Sequence, residues 1–226
     1  MSRFPPFPPD PPEPPMPRRT PWLPEPRPTS PGPVWASASL VLGGPDWLAQ
    51  RLLDQRLVAL AGALDADAAN QAVAELALLD ASGDDPVRLR LSGVTADLDV
   101  VLTLVDALDV MAAPVHATAL GTIAGPAVAL LAVADSRTVG PHTTVHLHEP
   151  RSPVGVPGAE LETAAAEHAR RVRRLQERLA TACGRSADEI AADMRPGRVL
   201  DAEEARAYGL VDAIETGRRR ASGARG

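Results

Sequence analysis

Fifteen of the chain's 24 prolines lie in residues 1–33, and this uneven distribution fixes which part of the sequence can fold. Proline has no backbone N–H and holds φ near −65°, so a run of this density can supply neither helix nor sheet hydrogen bonds and favours extended polyproline II. Residues 1–35 are therefore read as a disordered Pro-rich tail. Pro5, Pro8 and Pro11 recur at the three-residue polyproline period, as do Pro6, Pro9 and Pro12, which would suit an aromatic-lined groove, but a spacer is the simpler role. The folded body must lie within the remaining stretch of about 190 residues, long enough for a substantial core. Both phenylalanines, Phe4 and Phe7, sit in the tail, so aliphatic side chains must build that core.

Charge narrows the partners. A net charge of −6 opposes a general nucleic-acid surface, which needs clustered Lys and Arg. The basic runs are local: Arg170, Arg171, Arg173 and Arg174 share one helical segment, and Arg218, Arg219 and Arg220 fall in a basic tail, residues 216–226, read as disordered. One cysteine, Cys183, can form no intramolecular disulfide and no zinc site by itself, which suits a reducing compartment. Nothing in the sequence reads as a basic leader followed by an apolar run, or as eighteen uninterrupted apolar residues, so the expected location is cytoplasmic, with no membrane or nucleic-acid partner.

Strand and helix signals alternate along the body. Residues 56–62 read as a short buried strand, and Asp65 and Asp67 open an Ala/Leu helix reaching Asp80. Val87–Leu91 alternates apolar and polar residues, as a strand should, and Asp97–Val110 returns to helix. A strand at Val115–Leu120, a small-residue helix near 124–134 and a strand at Thr143–His148 follow. This order predicts an α/β fold with largely parallel pairing. In the second half, Leu161, Ala165, Val172, Leu175 and Leu179 recur at helical spacing before Gly184, and Ser186/Glu189 and Asp201/Glu204 form two capping boxes.

Several stretches carry a family resemblance. Leu52-Leu53-Asp54-Gln55-Arg56 resembles the opening of a first family strand, Ala69-Asn70 a pair in the first helix, and Leu147-His148-Glu149-Pro150 a segment bearing a catalytic histidine. Asp201-Ala-Glu-Glu-Ala-Arg-Ala-Tyr-Gly-Leu-Val-Asp212 is the most specific match. Over residues 36–215 the chain resembles the Clp protease proteolytic subunit (ClpP) family of serine peptidases. The resemblance implies a ClpP/crotonase-like fold of repeated β-α units with a protruding handle helix, Ala159–Ala182. It further implies rings of like subunits, homo- or hetero-oligomeric, that receive unfolded chains from an ATP-driven Clp unfoldase. No cofactor and no metal are implied.

A serine peptidase needs a hydroxyl nucleophile, an imidazole base, a carboxylate that orients it and N–H donors for the oxyanion. Aligned residue by residue, His148 matches the family histidine, but the nucleophile position holds Gly125. The next residue, which donates an oxyanion N–H in the family, is Pro126, and one lost donor costs a factor of about 100 to 1,000 in turnover. The other oxyanion stretch has Thr95 and Ala96 in place of paired glycines, and the acid position falls on Gly197, with Asp193 the nearest substitute. Pro196-Gly197 also stands where the family has a charged pair linking the site to ring–ring contacts.

These replacements predict a catalytically inactive homologue serving as a structural or regulatory ring subunit. Two alternatives are an active ATP-dependent serine endopeptidase subunit and a crotonase-type acyl-CoA enzyme or binder, which needs an oxyanion hole but no serine. Thr122 and Ser136 are weak stand-in nucleophiles, Thr122 being better read as a helix cap. His142, His146, His148 and Glu149 lack a further ligand signal and read as structural rather than metal-binding.

Overall fold

The computed structural model describes residues 46–151 and 161–215. The Pro-rich tail, the basic tail and the start of the handle segment lie outside the described residues. The first described element is helix α1 (Asp46–Asp54), followed by strand β1 (Leu57–Leu64), α2 (Ala66–Ala81), β2 (Val87–Ala96), α3 (Leu98–Asp109) and β3 (Val115–Leu120). Then come β4 (Thr122–Ala124), a 3-10 turn at Gly125–Ala127, α4 (Val128–Ala132), β5 (Ser136–Val139) and β6 (Thr144–Leu147). The second half holds α5 (Leu161–Cys183), α6 (Ala187–Met194), β7 (Arg198–Leu200), α7 (Ala202–Tyr208) and β8 (Ala213–Ile214). This is the expected α/β architecture.

The sheet forks at β2. Through Val87–Ser92 this strand lies between β1 and β3, and the branch continues from β3 to β5 and β8, all parallel. Beyond an irregularity where Ala61 faces Ser92 but Ala63 faces Thr95, Thr95 pairs with Ala124 of β4. A second branch then runs through β6 to β7, the last pair antiparallel. Along β2, Val87, Leu89, Leu91 and Val94 are buried, while Arg88 and Arg90 face outward.

Aliphatic side chains fill the core as the absence of body phenylalanines requires. Leu76 of α2, Leu104 of α3, Leu130 and Leu131 of α4, and Leu175 and Leu179 of α5 are all fully buried and pack with the inner residues of the strands. Each such side chain contributes roughly 1.5–3 kcal/mol of transfer free energy. Polar groups anchor the loops between elements. Asp65 caps α2 by accepting from the Ala68 N–H, and Asp80 accepts from the N–H groups of Ala112 and Ala113, tying the end of α2 to the turn before β3. Both capping boxes are present, at Ser186/Glu189 and Asp201/Glu204.

Three local expectations are corrected. Leu52–Asp54 ends a helix instead of opening a strand, and β1 begins only at Leu57. Between them Arg56 takes φ 52°, a left-handed value unusual for a side-chain-bearing residue, and its guanidinium donates to Ser82 Oγ and to the carbonyls of Gly83 and Asp85. The small-residue helix near 124–134 is shorter than read, because Gly125 has φ +61° and cannot continue a helix from β4. Thr122 therefore sits in β4 opposite Thr144 and caps nothing.

Candidate functional site

Parallel pairing carries the C-terminal ends of β2, β4 and β6 to one edge of the sheet, the usual place for a binding crevice in an α/β fold. Thr95 is in register with Ala124, and Ala124 with His146, so the residues just beyond these positions converge. A cleft of about 700 Å³ opens there, lined by Ala96, Ala124, Pro126 and His148 from the strand ends and by His168 and Arg171 from α5.

Beside this cleft, Gly125 faces the His148 ring. A Cβ built on Gly125 would lie 2.6 Å from His148 Cε1 and 2.8 Å from Nε2. The imidazole thus occupies the space into which any side chain at position 125 would have to grow. Gly125 is buried, in the left-handed conformation, and is followed by Pro126 at the start of the 3-10 turn, so the chain bends sharply from β4 into the buried α4. Pro126 has no N–H to present to the cleft. His148 Nδ1 lies 3.0 Å from the carbonyl oxygen of Glu149 and donates to it in the tautomer that leaves Nε2 as an acceptor towards Gly125.

Gly197 lies on the other side of the imidazoles. A Cβ there would be 3.5 Å from His146 Nε2 and 4.0 Å from His148 Cβ, in ordinary contact, although φ +80° favours glycine. Asp193 does not take the place of a carboxylate at this point. Its oxygens accept from the Tyr208 hydroxyl at 2.7 Å and from Arg198 Nη1 at 3.1 Å, and among the described residues it has no bond to His148. Partial burial would raise the Asp193 pKa, but the Tyr208 hydroxyl and the Arg198 guanidinium outweigh it and hold the carboxyl below its ordinary range. Burial, with Asp193 beside it, pushes the Tyr208 phenol well upward.

His146 and His148 stand edge to face, with ring centroids 5.0 Å apart. Among the described residues no three His, Cys, Asp or Glu side chains are grouped to hold a metal ion. Thr122 is an exposed β4 residue, and Ser136 belongs to β5 on the other branch, so neither joins the cleft lining. The contribution from α3 and α5 was not legible in the sequence. Arg171, which reads as part of a solvated basic face, lies on the cleft wall and donates to Asp99 and Glu167, and these two hydrogen bonds, Asp99's first, raise its pKa further. Asp99 is 72 positions away in sequence, and no spacing rule connects the pair.

A sequence profile of the Clp protease family matches residues 46–218, which includes every described element. The chain belongs to the Clp protease family. It is 36% identical over 175 residues to an ATP-dependent Clp protease proteolytic subunit-like protein of Streptomyces coelicolor, covering 75% of this chain and 82% of that one. It is 31% identical over 171 residues to the ATP-dependent Clp protease proteolytic subunit 1 of Corynebacterium glutamicum, covering 73% and 81%. Proteolytic subunit 2 of Nocardia farcinica is 27% identical over 195 residues, covering 84% and 95%. In this Clp family member the sheet edge thus presents an imidazole, a glycine in van der Waals conflict with any added side chain, and a proline. At position 125, beside His148 Nε2, there is no side chain, and Thr95 is the hydroxyl-bearing residue among the described residues that line the cleft. Among the described residues no helix is long and apolar enough to cross a membrane.

Proposed function

We propose that this Clp family member does not hydrolyse peptides and acts as a structural or regulatory subunit in rings formed with itself or with active ClpP-like subunits. The observation that carries this reading is the position of Gly125. It stands against His148 Nε2, where an attacking hydroxyl would have to be, and has no side chain. The reading is supported further by Pro126, which withholds an N–H, by Gly197, which leaves the imidazole beside it without a carboxylate, and by Asp193, whose carboxylate is committed to Tyr208 and Arg198. His148 keeps its place in the cleft with its Nδ1 on a backbone carbonyl, a weaker anchor than a buried carboxylate.

In this reading residues 36–215 form the family domain, and the tails at 1–35 and 216–226 are appendages that link or present it in the cytoplasm. The partners are ClpP-like subunits, and through them a Clp unfoldase. The exposed first half of α5, where Glu162, Thr163, Ala165, Ala166 and Glu167 all face outward, is available for contact with another subunit. Activity against a fluorogenic peptide and labelling by a fluorophosphonate test the chemical part of the proposal. Neither is expected from the purified chain. Labelling at a serine or threonine of this chain, abolished by His148→Ala, would refute it. Ultracentrifugation of the chain alone and mixed with an active ClpP paralogue tests the assembly, and a monomer in both cases would overturn that part.

A further inference from the structure

A second concavity lies on the other branch of the sheet and shares no lining residue with the cleft. Strand register places Arg88 beside His116 and His116 beside Ser136, and, one step along, Arg90 beside Thr118 and Thr118 beside Thr138. Residues two apart on a strand project from the same face, about 7 Å apart, and neighbouring strands are separated by about 4.8 Å. Two guanidinium groups, an imidazole and three hydroxyls are thereby gathered over a hollow of about 250 Å³. No carboxylate lines it, although the chain as a whole carries a net charge of −6.

Its donors are largely uncommitted. Arg88 Nη2 donates to the carbonyl of Gln55 at 2.7 Å, leaving Nε and Nη1, while Arg90 has no hydrogen-bond or ion-pair partner among the described residues. Several arginines elsewhere in the body pair with acids, Arg137 with Asp212, Arg171 with Asp99 and Glu167, and Arg178 with Asp109, while others such as Arg174 and Arg195 have no ion-pair partner among the described residues. The hollow is smaller than the pockets of about 300–1,000 Å³ that take whole cofactors, but it exceeds by several-fold the roughly 30 Å³ share of one water.

We propose that this face binds a single phosphoryl group, as free phosphate or as a phosphate monoester on a side chain. The guanidinium fork matches two phosphate oxygens at once, and the Thr118, Ser136 and Thr138 hydroxyls can donate to the third. The site is independent of the Gly125–His148 cleft and of whether that cleft is catalytic.

Calorimetric titration of the full-length chain at constant ionic strength tests it, with inorganic phosphate, a phosphoserine peptide and the same peptide unphosphorylated as probes. Saturable binding of phosphate or of the phosphopeptide is expected, with the unphosphorylated peptide binding at least tenfold more weakly than its phosphorylated form. The double variant Arg88→Gln/Arg90→Gln should lose roughly tenfold or more in affinity, since a hydrogen bond to a charged group is at stake at each position. Arg90→Gln alone, which breaks no described contact, should weaken binding in the same direction, and Arg195→Gln should not. Tighter binding of the phosphopeptide than of phosphate would identify a phosphorylated protein as the carrier, and equal binding a free phosphate. Absence of saturable binding by either phosphate probe, equal affinity for the unphosphorylated peptide, or unchanged affinity in folded Arg90→Gln and the double variant would overturn the proposal.

Discussion

Replacing Gly125 with alanine tests the central geometric claim about the cleft without asking for any activity. An L-residue at φ +61° costs about 1–2 kcal/mol relative to glycine. The new Cβ would also come within 2.6 Å of the His148 ring, closer than such atoms stand, so the imidazole must leave. Its displacement breaks the contact with the Glu149 carbonyl, worth about 1 kcal/mol. Reduced freedom of the unfolded chain returns about 0.4–1 kcal/mol. The net cost is about 2 kcal/mol, which for a body of this size lowers Tm by roughly 4–8 °C. The informative measurement is a double-mutant cycle with His148→Ala, followed by thermal and urea denaturation at matched protein concentrations. In the His148→Ala background the steric part disappears and Gly125→Ala should cost about 1 kcal/mol less. An identical cost in both backgrounds would show that the imidazole does not fill the space beside Gly125.

Three further outcomes are expected. Gly125→Ser alone should restore no appreciable peptidase activity, whereas Gly125→Ser/Pro126→Met/Gly197→Asp should exceed it clearly in fluorogenic-peptide turnover, because members of a triad act as a unit; full activity in the single variant would refute this. Gly209→Ala should destabilise the chain by about 2 kcal/mol or more in denaturant titration, since Gly209 ends α7 at φ +93° and an added Cβ would meet the Cys183 carbonyl oxygen at 2.7 Å. Asp193, whose pKa is depressed in the folded state, stabilises the fold at pH values above about 4, the ordinary carboxylate pKa, and that contribution is lost as pH falls through its folded value. Asp193→Asn should therefore lower Tm at pH 7 and approach the unsubstituted chain as the carboxyl is protonated in acid; a gap that did not narrow at all on acidification would contradict the assignment.

The elements whose signals are local were readable from the sequence. Asp65, Ser186 and Asp201 cap helices at the places their spacing indicates, and the apolar alternation of Val87–Leu91 sets the inner face of β2. The parts that were not readable depend on backbone geometry or on partners far away in sequence. Gly125 reads simply as a missing hydroxyl. That the His148 ring stands where a side chain at 125 would grow follows from the turn after β4, which no local spacing reveals. The sequence offers Asp193 as a substitute acid, yet its carboxylate is taken up by Arg198, five residues on, and by Tyr208, fifteen residues on, a partner that no local spacing indicates. Helix α1 went unread because Leu52–Leu53 before an Asp suits a helix end and a strand start equally well.

A forked sheet distributes cooperativity unevenly. Strand β2 is flanked by β1 and β3 through its first six residues and by β1 and β4 beyond the irregularity, so no separation of one branch leaves it unpaired. Strands β7 and β8, three and two residues long, each close a branch with a single neighbour. Fraying at either tip can come and go without disturbing the stem, and the amides of Leu89 and Leu91 must wait for the whole body to open before they meet solvent. Strand β2 lines both the cleft, through Thr95 and Ala96, and the hollow on the other arm, through Arg88 and Arg90, so the slowest-exchanging amide hydrogens are expected on the strand that the two sites share.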